Sequence, residues 1–131
     1  MLSNESEILV VDDIEDNRYT LERRLKRDGY ENITLVDGGA AALELISERQ
    51  FDLILLDLMM PEMDGFEFAE NLRTNKKWLD IPVVVITAKD LTSEEHSKLK
   101  GNVEAIMQKG SYSKDELLSE IGRRIKTLKR E

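Results

Sequence analysis

At 131 residues the chain is sized for one compact domain with a single core. A net charge of −8 argues against gripping nucleic acid through an overall field, and the absence of cysteine excludes a disulfide framework or a cysteine-based zinc site. No stretch approaches the roughly 18 apolar residues of a membrane span, and the opening MLSNESE lacks the charged and apolar regions of a secretory leader. A single domain over residues 1–131, cytoplasmic and without membrane or direct nucleic-acid contact, is therefore expected.

In chain order, ILVV (8–11) reads as a first strand, ending in the acid pair Asp12–Asp13. A helix is predicted over about 16–28, stopped by Gly29, because glycine enters the left-handed conformation cheaply. NITLV (32–36) is a second strand and 38–48 a second helix. FDLILL (51–56) is a third strand leading into Asp57, followed by a helix over about 64–75. IPVVVI (81–86) is a fourth strand, with Pro82 at its beginning, where a missing amide proton does least damage. Thr92 and Glu95 form a capping-box pattern at the head of a helix over 92–100, with Gly101 as its stop. VEAIM (103–107) is the fifth strand. Ser113 and Glu116 repeat the capping pattern before a last helix, where Leu117, Leu118, Ile121, Ile125 and Leu128 share one face. Its basic end, GRRIKTLKRE, fits cations at a helix C-terminus, where the macrodipole favours them.

Most of the apolar runs are continuous rather than alternating, which suits strands covered on both faces. Five successive βα units predict an α/β fold: an open, doubly wound parallel sheet of order 2-1-3-4-5 with five flanking helices. Sites in such sheets lie outside the carboxyl ends of the strands, where the winding reverses. There Asp12 and Asp13 meet Asp57, with Thr87 at the tip of strand four and Lys109 at that of strand five. An unpartnered buried carboxylate is costly, and three close together repel one another. A bound divalent cation removes that conflict. Oxygen-only ligands in a small cluster suit Mg²⁺. Acids, cation, lysine and hydroxyl together suit a transferring phosphoryl group, for which an aspartate can be the nucleophile.

The residues Asp12–Asp13 in LVVDD, Asp57 in LILLDLMMPEMDG, Thr87 with Ala88 in VVVITA, and Lys109 in MQKG closely resemble the receiver domains of two-component response regulators. The resemblance covers nearly the whole chain and implies a flavodoxin-like fold. It implies Asp57 as the site phosphorylated from a phosphohistidine on a sensor histidine kinase or a histidine phosphotransfer protein. It implies Mg²⁺ on Asp12, Asp13, Asp57 and the backbone carbonyl of Met59. Thr87 would be the switch hydroxyl, acting with Ala88 and Lys109 at the phosphoryl group, and a downstream effector would read the face of helix four, strand five and helix five. Pro61 and Gly65 would shape the loop after the acceptor, and Met59 and Lys89 would tune how readily water removes the phosphate. Two positions depart from the family's pattern: Gly110 follows the lysine where proline is usual, and Ile106 occupies the switch position where an aromatic residue is common.

Two other functions compete with this one. An aspartyl-phosphate hydrolase of the haloacid dehalogenase type typically places a second acid two residues after its nucleophile, where this chain has Met59. A degenerate receiver would act as a phosphorylation-independent docking scaffold; the full set of chemical residues weighs against it. His96, in HSKLKG, reads as a solvated helix residue, and Met59, Met60, Met63, Phe66 and Phe68 as packing residues. A stand-alone regulator and a receiver module of a hybrid kinase both fit.

Overall fold

Strands form at the apolar runs, because leucine and β-branched residues covered on two faces pack best in a parallel sheet. The computed structural model describes residues 5–58, 60, 63–87, 90–108 and 114–127, with the side chains of 108, 114, 117 and 124–127 left aside. Its strands are β1 (Glu7–Val11), β2 (Asn32–Val36), β3 (Leu53–Leu56), β4 (Val83–Thr87) and β5 (Ala105–Gln108). The helices are α1 (Glu15–Arg27), α2 (Gly39–Glu48), α3 (Gly65–Thr74), α4 (Ser93–Leu99) and α5 (Lys114–Thr127). The sheet order is β2-β1-β3-β4-β5, with every pairing parallel.

Period-two alternation inside the continuous runs divides the core into two layers. Leu9, Val11, Ile54, Leu56, Val83 and Val85 face α2, α3 and α4, meeting Ala42, Ile46, Phe68, Leu72 and Leu99. Ile8, Val10, Leu53, Leu55, Val84 and Ile86 face α1 and α5, meeting Leu21, Leu25 and Ile121. Each fully buried leucine or isoleucine contributes about 1.5–3 kcal/mol of hydrophobic stabilisation.

Local signals decide the helix ends. Gly29 (φ 103°) and Gly101 (φ 87°) both adopt the left-handed region at the predicted stops. Thr92 and Glu95 make the full capping box at the head of α4. Asp64 caps α3 by accepting from the Glu67 amide at 3.0 Å. The predicted cap at Ser113 lies outside the described residues.

Some boundaries moved. β3 begins at Leu53 because the Asp52 carboxylate takes the Glu7 amide at 2.8 Å, a side-chain substitute for a ladder bond. β5 begins at Ala105 because Val103 is engaged in an isolated bridge with Lys100. A short 3₁₀ turn, Lys76–Trp78, was not anticipated; the Asn75 side chain nucleates it by accepting from the Lys77 amide at 2.9 Å. His96 is exposed on α4, as expected, and Met60 and Phe68 are core residues.

Candidate functional site

Asp12 and Asp57 each stand one residue beyond a central strand. Their backbone amides are still captured by the neighbouring strand: Asp12 donates to Val36 O at 3.2 Å and Asp57 to Val11 O at 3.0 Å. The sheet therefore fixes both main chains before any side chain acts. Asp12 and Asp57 are 3% and 5% exposed. With the half-buried Asp13, each offers one carboxylate oxygen, and the three oxygens lie within 4.8 Å of one another. At Mg²⁺–oxygen distances of 2.0–2.1 Å, oxygens on opposite sides of an octahedron stand about 4 Å apart, so a small inward adjustment of the carboxylates would let the trio share a single small divalent cation. A second observation agrees with the fit. Asp13 Oδ1 is a buried acceptor with no hydrogen-bond donor among the described residues, an arrangement that costs free energy unless a cation or water serves it.

The loops around the trio are held tightly. Asp12 Oδ1 accepts from the Ile14 amide at 2.9 Å, closing a turn into α1. Arg18 Nη1 donates to the Asp12 carbonyl at 2.7 Å. Gly65 opens α3, its amide donating to Leu58 O at 3.1 Å. A Cβ at Gly65 would lie 2.7 Å from Leu58 Cα and 2.8 Å from Asp57 O, so only glycine lets α3 abut the acceptor loop.

Thr87 closes β4 and is fully buried at the same end of the sheet. Ile106 pairs with Val85 in the β4–β5 ladder and is half-buried against the α2–α3–α4 layer. Asp12, Asp13 and Asp57 are thus brought together as expected from the sequence. Met59, Ala88, Lys89, Lys109 and Gly110 lie outside the described residues. Arg18 escaped the sequence reading. Its signal is a cation in the first turn of a helix, where acids such as Glu15 and Asp16 are the favoured neighbours.

Fold and site together define a doubly wound α/β protein with three carboxylates gathered at its topological switch point. The family model described as response regulator receiver domain matches residues 8–122, and the chain belongs to that family. The response regulator MprA of Mycobacterium sp. strain KMS is 38% identical over 112 residues, covering 86% of this chain and 47% of that protein. The chain spans about half the length of the curated relatives it matches. Among solved structures, the N-terminal domain of a response regulator receiver protein from Methanoculleus marisnigri JR1 is similar at 33% identity and TM-score 0.74. That similarity covers 95% of this chain and 98% of that one. The receiver domain of sensor histidine kinase PA1611 from Pseudomonas aeruginosa, with a magnesium ion coordinated in its active-site cleft, is 28% identical with TM-score 0.75. It covers 92% of this chain and 96% of that one.

Proposed function

We propose that the chain is a phosphoacceptor switch in which the Asp57 carboxylate takes a phosphoryl group from a phosphohistidine. The donor is a sensor histidine kinase or a histidine phosphotransfer protein. The observation that carries this reading is the convergence of Asp12, Asp13 and Asp57 within 4.8 Å in a member of the receiver family. An Asp57 oxygen forms the new O–P bond as the donor's N–P bond breaks; the imidazole keeps the electron pair and takes up a proton. Asp12, Asp13 and Asp57, with the Met59 carbonyl, would hold Mg²⁺. Bound Mg²⁺ supplies positive charge for the phosphoryl oxygens.

Thr87 donates its hydroxyl to the phosphoryl group, Lys109 pairs with it, and Ala88 acts with them at the phosphoryl group. Met59 and Lys89 set how fast water attacks the acyl phosphate. Ile106 gives the switch a smaller inward partner than an aromatic ring. The modified state shifts a pre-existing equilibrium of the α4–β5–α5 face toward an effector-binding form.

Acetyl phosphate with Mg²⁺ tests the reading. One phosphoryl group per chain, mapped to Asp57 by peptide mass and abolished by Asp57→Asn or by chelating the metal, is the expected result. Metal-independent labelling, labelling elsewhere, or sustained turnover of a generic phosphate ester would overturn it.

A further inference from the structure

We propose that Arg18 is a positioning residue of the cation site, acting through the Asp12 carbonyl; the inference rests on the phosphoacceptor reading. Arg18 stands in the first turn of α1, where the positive end of the helix dipole disfavours a cation. Three carboxylates nearby would attract it, so neutralising them is the obvious purpose. The geometry points elsewhere. Among the described residues no carboxylate lies within ion-pair distance of Arg18. Instead its Nη1 donates to the Asp12 main-chain carbonyl at 2.7 Å, reaching back six residues.

That carbonyl belongs to a turn fastened at three other points. The Asp12 amide is held by Val36 O at 3.2 Å, Asp12 Oδ1 takes the Ile14 amide at 2.9 Å, and Ile14 O accepts from the Arg18 amide at 3.1 Å. The helix has no side-chain cap of its own, since Ile14 occupies the N-cap. Arg18 therefore closes a loop in which helix start, turn and Asp12 carboxylate fix one another. Mutating a group that orients a ligand from behind typically costs about 10–100-fold in metal affinity. A guanidinium suits this task because its planar fork loses little freedom on making a directed bond.

The two roles predict opposite signs. If Arg18 is only a nearby positive charge, deleting it removes repulsion and tightens Mg²⁺ binding. If it positions Asp12, deleting it loosens the turn and weakens binding. Calorimetric titration with Mg²⁺ alone, on the parent, Arg18→Gln and Arg18→Lys chains at low and high NaCl, separates them. The expected result is affinity about tenfold weaker in Arg18→Gln, persisting at high salt where charge effects are screened, with partial recovery in Arg18→Lys.

Metal-free amide exchange supplies the second readout: the Ile14 amide should exchange faster in Arg18→Gln while the β3 amides keep their protection. Should Arg18→Gln not fold, Arg18→Lys carries both measurements, with a smaller change of the same sign. Equal or tighter Mg²⁺ binding by the variant overturns the role of Arg18 alone, as does weaker binding without faster Ile14 exchange. A parent that binds no Mg²⁺ overturns the phosphoacceptor reading itself.

Discussion

At the amino ends of β4 and β5, Arg73 of α3 is surrounded by acceptors. Its Nε donates to Asn102 O at 2.9 Å, Nη1 to Trp78 O at 2.9 Å and Leu79 O at 3.0 Å, and Nη2 to Ile81 O at 2.9 Å. Desolvation lowers its pKa from the ordinary value, while the charges of Glu104 and Asp80 act in the opposite direction. At the carboxyl ends of β1 and β3, three acids stand together and Asp13 Oδ1 is buried with no donor among the described residues. Both ends of the sheet take charge out of water, but Arg73 spends its charge on four backbone carbonyls, whereas the acidic trio keeps a buried acceptor that no described residue serves. The contrast separates charge that builds the fold from charge that waits for a ligand.

The largest effect that would sharpen this contrast comes from Arg73→Leu. The variant keeps an apolar stem but takes the guanidinium from four carbonyls around the 3₁₀ turn, the start of β4 and the turn before β5, of which, among the described residues, only Trp78 O keeps another donor, the Ile81 amide at 3.3 Å. Unmade bonds to buried acceptors cost about 1–3 kcal/mol each, and entering water would recover the more exposed ones. A loss of about 3 kcal/mol in urea unfolding is expected, a large share of the stability of such a domain. Arg73→Lys should restore less than half, since one ammonium cannot reach all four oxygens. A loss below about 1 kcal/mol would remove Arg73 from its role as a clasp.

Asp13→Asn should act in the opposite sense at the other end. It deletes one of three mutually repelling charges and gives the site an amide donor. In EDTA the variant should be more stable than the parent by about 1 kcal/mol, a shift of a few degrees in Tm. Saturating Mg²⁺ should stabilise the parent, because a ligand bound only by the native state shifts unfolding by mass action, and should stabilise Asp13→Asn less. Thermal melts with and without Mg²⁺ read both. If Asp13→Asn melts lower in EDTA, the acids are structural and the contrast between the two ends disappears.

The carboxyl end was more legible in the sequence than the amino end, and the reason is physical. Asp12, Asp13 and Asp57 announce themselves because each follows an uninterrupted apolar run that already fixes its position in space. The parallel order then brings their tips together without further information. Arg73 follows no such run. Its four partners are backbone carbonyls in a 3₁₀ turn and a loop, whose identities leave no mark in the sequence. The left-handed stops at Gly29 and Gly101 and the box at Thr92 were readable because one residue type determines each. The start of β5 was not, since hydrophobicity cannot tell a strand residue from Val103 in an isolated bridge. Arg18 occupies an intermediate place: the helix dipole marks it as anomalous, but only coordinates show which oxygen it holds.

The smallest effect concerns Tyr30, which precedes β2 at the amino end and is 6% exposed among Leu21, Leu25 and Ile8. Burial raises its pKa above the ordinary 10.0, and the Asp28 carboxylate adds to the rise. A group with a raised folded pKa binds its proton more tightly in the native state than in the unfolded one. Its contribution is therefore fully present below about pH 10 and is lost as pH rises through the folded value. The parent should lose stability above that pH because the unfolded chain releases the phenolic proton first, while Tyr30→Phe, with no proton to release, should decline less. At pH 7 the two should differ by less than about 1 kcal/mol, since phenylalanine fills nearly the same volume. Urea unfolding from pH 7 to pH 11 compares the two slopes. Parallel slopes would mean that the phenol ionises as readily in the native protein as in the unfolded chain, and the amino end would then tolerate a buried charge much as the carboxyl end does.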